Sequence, residues 1–324
     1  MLSFENILQQ IEYAVRKLEF DCPPASLYEP VKYILSLGGK RIRPALVLMA
    51  YTMYKDNATS ALNTALGWEV FHNFTLLHDD LMDKADKRRG RPTVHTVWND
   101  NTAILSGDAM LIAAYQLIGQ TDPAHLKPVL DLFTRTAAEI CGGQQYDMEF
   151  EKRQDVTEEE YIEMIRLKTA VLLAGSLKSG AILADAPEED TEHLYQFGIN
   201  IGLAFQLQDD LLDVYGDTAT FGKNIGGDIL CDKKTFLLIN ALRWANAEQR
   251  AVLNRWIGAK EVVPEEKIKA VTSIYNELGL KALSEEKIEA YFEEAMAHLK
   301  ALSVPEEKQQ VLKEISHRLM NRKS

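Results

Sequence analysis

Apolar residues along this chain return at spacings of three and four, and no stretch alternates apolar with polar positions over a useful length. The pattern predicts helices throughout. Opening helices are expected over 2–19 and 26–37, a long one over 58–83, and further helical segments over 92–117, 123–150, 157–185 and 188–216. The remainder, 235–322, reads as helices whose Glu-Glu-Lys and Glu-Glu-Ala runs are solvated faces supported by i,i+4 pairs. Pro23-Pro24, Gly38-Gly39, Pro44, Gly90 with Pro92, Pro123, Pro187, Pro264 and Pro305 punctuate these segments. No Ser-, Gly- or Pro-rich linker and no short-period repeat divides them. The expected fold class is all-α, a single domain over 1–324 with about a dozen helices.

With 324 residues, 46% of them hydrophobic, the chain can bury a large core. A net charge of −12 argues against general nucleic-acid binding and against an anionic membrane surface, while leaving room for a local basic pocket. Cys22, Cys141 and Cys231 lack metal-like spacing, which points to a reducing cytoplasm without a disulfide framework. The opening MLSFENILQQIEYAVRKLEF is amphipathic and carries acids, so it does not read as a signal peptide. Nowhere do about 18 apolar residues run without charge, so no membrane span is expected.

Candidate chemistry begins at Leu76–Arg91, LLHDDLMDKADKRRGR, where an apolar run meets Asp79, Asp80 and Asp83 and then turns basic at Lys87, Arg88, Arg89 and Arg91. On a helix, Asp79 and Asp83 stand one turn apart on one face, with Cβ atoms ~6 Å apart. Carboxylates so placed repel unless a cation lies between them. An oxygen-only set without nearby Cys suits Mg²⁺, which binds through one or two carboxylates plus substrate phosphates. Alone, such a pattern is more often a solvated acidic helix end. A second copy changes that balance: QLQDDLLD at 206–213 again follows an apolar run, and Asp209 and Asp213 repeat the spacing. Two such segments in the two halves of a chain can face each other across a cavity.

Basic positions recur elsewhere. In LSLGGKRIRP, Gly38 and Gly39 suit a helix C-terminal cap and Pro44 the first turn of the next helix. Lys40, Arg41 and Arg43 therefore flank a helix N-terminus, an anion site or else a solvated turn. His72 and His78 lie on an apolar face, where a histidine is most often a satisfied core residue. Gly143, Gln144 and Asp147 hint at a buried polar network. Lys168 and Thr169 interrupt an Ala-, Gly- and Leu-rich helix, the alternative being a lysine that snorkels to the surface. The Gly-rich loop before 235 interleaves Lys223, Lys233 and Lys234 with Asp217 and Asp228, as a phosphate lid or a long surface loop would. A substrate with diphosphate at one end and hydrocarbon at the other accounts for all these features. Metal ions would stabilise a diphosphate leaving group, and an apolar pocket would keep water from the resulting cation.

The stretches GGKRIRP (38–44), LLHDDLMDKADKRRGRPTVH (76–95), GQQYD (143–147), KT (168–169), FQLQDDLLD (205–213) and GKNIGGDILCDKKT (222–235) occur in the order found in one family. Over nearly its whole length the chain resembles the trans-isoprenyl diphosphate synthases of the polyprenyl synthetase family, of the short-chain farnesyl or geranylgeranyl type. The resemblance implies an all-α bundle around a deep central cavity, usually a homodimer. It implies that Asp79, Asp83 and Asp209 ligate three Mg²⁺ ions, with Asp80, Asp210 and Asp213 supporting them directly or through water. By the same resemblance Arg88, Lys168, Lys223 and Lys233 hold the allylic diphosphate, and Lys40, Arg43, His72 and Arg89 hold isopentenyl diphosphate. Thr169 and Gln206 would face the developing cation. Two departures fall in the lid: Asp232 replaces a usual glycine before Lys233, and Gly227 stands where an aspartate is common.

The resemblance also places a chain-length floor five residues before the first aspartate, here Phe74, ~7.5 Å along the helix. An aromatic floor implies products of fifteen or twenty carbons. The absence of a two-residue insertion in the first motif, and a non-aromatic Thr75, lean toward twenty. The competing expectations are a longer-chain synthase, a class I terpene cyclase or a non-catalytic partner subunit. A cyclase would carry a different second acidic motif, and a partner subunit would tend to lose one motif.

Overall fold

A computed structural model describes residues 3–216, 225–259 and 261–320. The expected helices form. They are α1 (Phe4–Arg16), α2 (Ala25–Ser36), α3 (Ile42–Tyr54), α4 (Leu62–Met82), a short α5 (Val94–Val97), α6 (Asp100–Ile118) and α7 (Pro123–Phe150). After these come α8 (Glu158–Ile165), α9 (Val171–Leu183), α10 (Glu188–Tyr215), a four-residue α11 (Gly227–Leu230), α12 (Phe236–Trp244), α13 (Ala247–Trp256), α14 (Pro264–Glu277), α15 (Leu280–Lys300) and α16 (Glu306–Met320). Side chains start several of them. Ser3 accepts a hydrogen bond from the N–H of Asn6, and Thr157 with Glu160 and Asn246 with Gln249 form capping boxes.

Two of the expected helical segments are interrupted, each for a local reason. The segment expected over 92–117 is broken, because Asn99 caps α6 by accepting from the N–H of Thr102. Ahead of it lies a small antiparallel hairpin, β1 (Lys87–Arg88) with β2 (Arg91–Pro92), pairing Arg88 with Arg91. Its two loop residues, Arg89 and Gly90, both have positive φ (52° and 74°), as a type I′ turn requires. The segment expected over 157–185 passes through one π-helical turn, Arg166–Ala170, which carries Lys168 and Thr169. That turn lies against α7 because Gly143 has no side chain: a Cβ there would sit 2.4 Å from the backbone nitrogen of Lys168.

The chain folds into two compact units, each assembled from three separated stretches. The first is Met1–Thr134, Gly175–Leu194 and Leu302–Leu312; the second is Arg135–Ala174, Tyr195–Ala301 and Lys313–Ser324. In the first, α4 packs chiefly on α6. Trp68 and Phe71 meet Phe133 edge to face at 4.9 and 5.2 Å, and the buried Trp68 indole N–H donates to Ser179 Oγ at 3.0 Å. In the second, Val214, Ile229, Leu237, Leu253, Ile274 and Tyr275 share a core. No described helix is long and apolar enough to cross a membrane.

Candidate active site

The first acidic motif closes α4. Asp79 is half-buried, Asp80 buried at 3% exposure and Asp83 exposed. Helix ends repel carboxylates at their C-termini, where carbonyl dipoles already point outward, so acids here favour a bound cation. The chain then reverses through a Schellman turn. Lys84 (φ 51°) takes the left-handed position, and the N–H of Ala85 donates to the carbonyl of Asp80 at 2.9 Å. This reversal brings the hairpin back over the motif: Arg88 Nε reaches both Asp80 oxygens, at 2.9 and 2.8 Å. Burial pushes the Asp80 pKa up, and Arg88 opposes that push. The middle aspartate is thus committed to arginine, and the outer pair, Asp79 and Asp83, is presented on one face.

The second motif, in the second unit, repeats the arrangement with different partners. Asp210 is buried near the C-terminal end of α10 and accepts from the Tyr161 hydroxyl and from Gln206 Nε2, the latter at 3.0 Å. Burial, with Asp228 adding to it, raises the Asp210 carboxyl to about 7, while Lys233 pulls in the other direction. Asp209 and Asp213 are half-buried one turn apart. Asp213 also fastens the loop that follows, its Oδ2 accepting from the N–H of Asp228 at 2.9 Å. Among the described residues no three or more His, Cys, Asp or Glu side chains are arranged as a group that could by itself hold a metal ion. Each motif instead offers a pair of hard oxygen donors. That is the protein share expected for Mg²⁺, which fills its remaining positions with water and substrate phosphate.

Of the residues expected to hold isopentenyl diphosphate, Arg43, His72 and Arg89 are shown gathered in the first unit, in one field. His72 is held well below its usual pKa by burial and by Arg43, Arg89, Arg88 and Arg41, so it is neutral at pH 7. Burial pushes Arg43 down to about 10, with Arg89 adding to it, yet the guanidinium stays charged at pH 7. Arg43 Nε is buried and has no acceptor among the described residues, as suits a group awaiting an anion. Arg89 lies against Gly39, whose Cβ would come within 2.7 Å of the guanidinium. Lys40 is exposed beside it in sequence. Arg41 departs from the expected anion-binding role. Its left-handed backbone (φ 48°) turns the side chain inward, where it donates to Glu12 at 2.8 Å, Glu69 at 2.6 Å and the carbonyl of Leu35 at 3.0 Å.

The second unit brings together Lys168, Thr169, Gln206, Asp210 and Lys233 around a cavity of about 70 Å³. Lys168 does not snorkel; its Nζ pairs with Asp147 Oδ2 at 2.5 Å, which realises the polar network suggested around 143–147. Thr169 Oγ1 donates to Gln206 Oε1 at 3.1 Å. Lys223 lies outside the described residues. Phe74 is half-buried in the first unit, its ring on Phe71 (5.5 Å) and His78 (4.8 Å).

Two participants escaped the sequence reading. Glu69 is an acid in the otherwise apolar GWEVF stretch, and its i,i+4 relation to Asn73, which donates to it at 2.9 Å, was the available signal. Tyr161 gave none, because an amphipathic helix carries tyrosines for packing alone.

Comparison with known proteins agrees with this geometry. The family model described as polyprenyl synthetase matches residues 24–277. A short chain isoprenyl diphosphate synthase of Methanocaldococcus jannaschii is 41% identical over 267 residues, covering 82% of this chain and 81% of that protein. A geranylgeranyl diphosphate synthase of Methanosarcina mazei is 40% identical over 239 residues, covering 73% and 74%. A crystal structure of a geranylgeranyl pyrophosphate synthase superposes with a TM-score of 0.94 at 43% identity, covering 100% of both chains. Two acidic helix ends, each with its middle aspartate tied down, together with these matches, show that the chain belongs to the polyprenyl synthetase family.

Proposed function

We infer that this chain is a short-chain prenyltransferase that joins isopentenyl diphosphate to an allylic diphosphate and releases pyrophosphate. The single observation that carries the reading is the repeated motif geometry. In each motif the middle aspartate has a dedicated partner, Arg88 for Asp80 and Tyr161 with Gln206 for Asp210, and the outer two aspartates stand one helical turn apart as a pair of hard oxygen donors for a cation.

Asp79 and Asp83, with Asp209 and Asp213, would hold Mg²⁺, three ions in this reading. Mg²⁺ when bound supplies positive charge at the diphosphate oxygens as the allylic C–O bond lengthens. Arg88, Lys168, Lys223 and Lys233 bind the allylic diphosphate, and their charge favours its departure over its return. The hydroxyl of Thr169 and the amide oxygen of Gln206 turn their negative ends toward the allylic carbon as positive charge develops there. Lys40, Arg43, Arg89 and neutral His72 orient isopentenyl diphosphate so that its double bond attacks that carbon. One C–C bond forms, one C–O bond breaks, and the proton lost passes to the departing pyrophosphate.

Phe74 closes the hydrocarbon path, and the product in this reading has twenty carbons; two of the similar proteins carry geranylgeranyl in their names. One catalytic domain over 1–324 is part of the reading, because neither unit is a contiguous stretch of chain. So is a homodimer, since α6 leaves Ile104, Leu105 and Ile112 exposed at 44%, 58% and 60%, an apolar face suited to a second copy. The cytoplasm is the compartment proposed, in keeping with three unpaired cysteines.

The test is a product assay with Mg²⁺, labelled isopentenyl diphosphate and, separately, dimethylallyl, geranyl or farnesyl diphosphate, with the dephosphorylated alcohols sized. A discrete twenty-carbon alcohol supports chemistry and floor together. Products of thirty carbons or more keep the chemistry and remove Phe74 as the floor. No elongation from any starter overturns the synthase reading.

A further inference from the structure

Lys233 precedes α12 in a turn that departs from the family pattern at Asp232. The backbone of Asp232 is left-handed (φ 53°), a conformation that glycine, the usual residue here, adopts without strain. The aspartate is fastened from outside the turn. Lys267 of α14, 1% exposed, donates through Nζ to Asp232 Oδ1 at 2.7 Å and to the carbonyl of Leu230 at 3.2 Å. The N–H of Gly258 donates to the other carboxylate oxygen at 2.7 Å. A buried ammonium is costly unless paired, so Lys267 and Asp232 depend on each other. The near end of the same turn is fastened by Asp213, which accepts from the N–H groups of Gly226 and Asp228. Lys233 follows directly on the fastening at Asp232, its N–H donating back to the carbonyl of Asp228 at 2.9 Å and its side chain bordering the cavity with Lys168 and Gln206.

We propose that Lys267 and Asp232 are a positioning pair whose buried ion pair holds the left-handed turn and so aims Lys233 at the allylic diphosphate. The inference rests on the assignment of Lys233 to that diphosphate. In place of glycine's conformational freedom, this chain uses an anchored carboxylate. Lys267 touches no substrate and acts only through the turn. Misplacing a binding group by about 1 Å costs up to about a hundredfold in rate.

The experiment compares Lys233→Ala, Lys267→Met, Asp232→Asn and the double variant Asp232→Gly/Lys267→Met in the full chain, recording KM for each substrate, kcat and thermal midpoint. Lys267→Met should raise KM for the allylic diphosphate roughly tenfold, the equivalent of about 1.4 kcal/mol, with KM for isopentenyl diphosphate unchanged. The double variant should recover most of that loss, because glycine adopts the turn unaided and no charge is left buried alone. Asp232→Asn tolerates the left-handed turn but leaves the buried Lys267 ammonium without a counter-charge, and has one oxygen where Lys267 and Gly258 each use one. It should therefore show the same selective rise together with a lower thermal midpoint. The double variant, which removes both charges, keeps the test readable if either single variant folds poorly. The proposal is overturned if Lys267→Met or Asp232→Asn lowers the thermal midpoint while leaving the allylic KM alone, or moves both KM values together. If Lys233→Ala raises the allylic KM and the pair variants do not, the pair alone is refuted. If Lys233→Ala has no effect, the assignment of Lys233 fails and the proposal with it.

Discussion

Replacing Arg41 by methionine tests whether the inward arginine supports the basic site from below. The guanidinium is 4% exposed and bonds Glu12, Glu69 and the carbonyl of Leu35, which ties α1, α2 and α4 together in the first unit. Burial works against its charge, and Glu69 and Glu12 outweigh that cost, leaving the pKa above the usual arginine value. Arg41→Met removes the ion-pair partner of the Glu69 carboxylate, 2% exposed, leaving it a hydrogen bond from the uncharged amide of Asn73 and the more distant charges of Arg43 and Arg89, and one of its oxygens already has no partner. Breaking a buried pair from one side costs ~3–5 kcal/mol. Unfolding entropy of about 2.1 cal/mol/K per residue, over 324 residues, is about 0.7 kcal/mol/K, so the midpoint should fall by ~4–7 °C. Thermal unfolding followed by circular dichroism measures this. Arg41→Met/Glu69→Gln should recover more than half of the loss, because no charge is then left buried alone. A drop of the size given by an exposed pair, ~0–1 kcal/mol, or a double variant as unstable as the single one, refutes the reasoning.

Phe74→Ala removes the ring packed on Phe71 and His78 and should lengthen the product; an unchanged product distribution removes Phe74 as the floor. Gly143→Ala forces a Cβ to within 2.4 Å of the Lys168 backbone nitrogen, an overpacking worth ~1–3 kcal/mol, and should cut kcat/KM for the allylic substrate at least roughly tenfold. Gly142→Ala next to it, where a Cβ meets nothing within 4 Å, is the control and should stay near wild type. His72 has its folded-state pKa depressed by burial and the arginines around it, so the unfolded chain takes up a proton there that the folded chain refuses. Its contribution is therefore complete above pH ~6.5 and is lost as pH falls below that value, and His72→Gln should flatten this part of a stability–pH profile. An unaltered profile would show that His72 is not held neutral.

The all-α class, the helices over 123–150 and 188–216 and both acidic motifs were legible in the sequence, because helical periodicity and i,i+4 spacing are local properties that hold wherever the helix packs. The grouping of basic residues was legible as well, since lysines and arginines stand out against apolar helices. What each one does was not. Arg41 and Arg43 are two positions apart, yet one faces a buried carboxylate and the other is left with an unpartnered nitrogen, a difference set by the left-handed turn at Arg41 and by Glu69 arriving from α4. The same holds for the aspartates. Three acids in DDxxD look alike along the chain, and only folding shows that Arg88 and Tyr161 claim the middle one in each copy, because those partners come from a hairpin and from a helix 49 residues away. Spacing along one helix decides which side chains share a face; which of them remain available to a ligand depends on the hydrogen-bond partners that distant segments bring, and burial makes those partners obligatory.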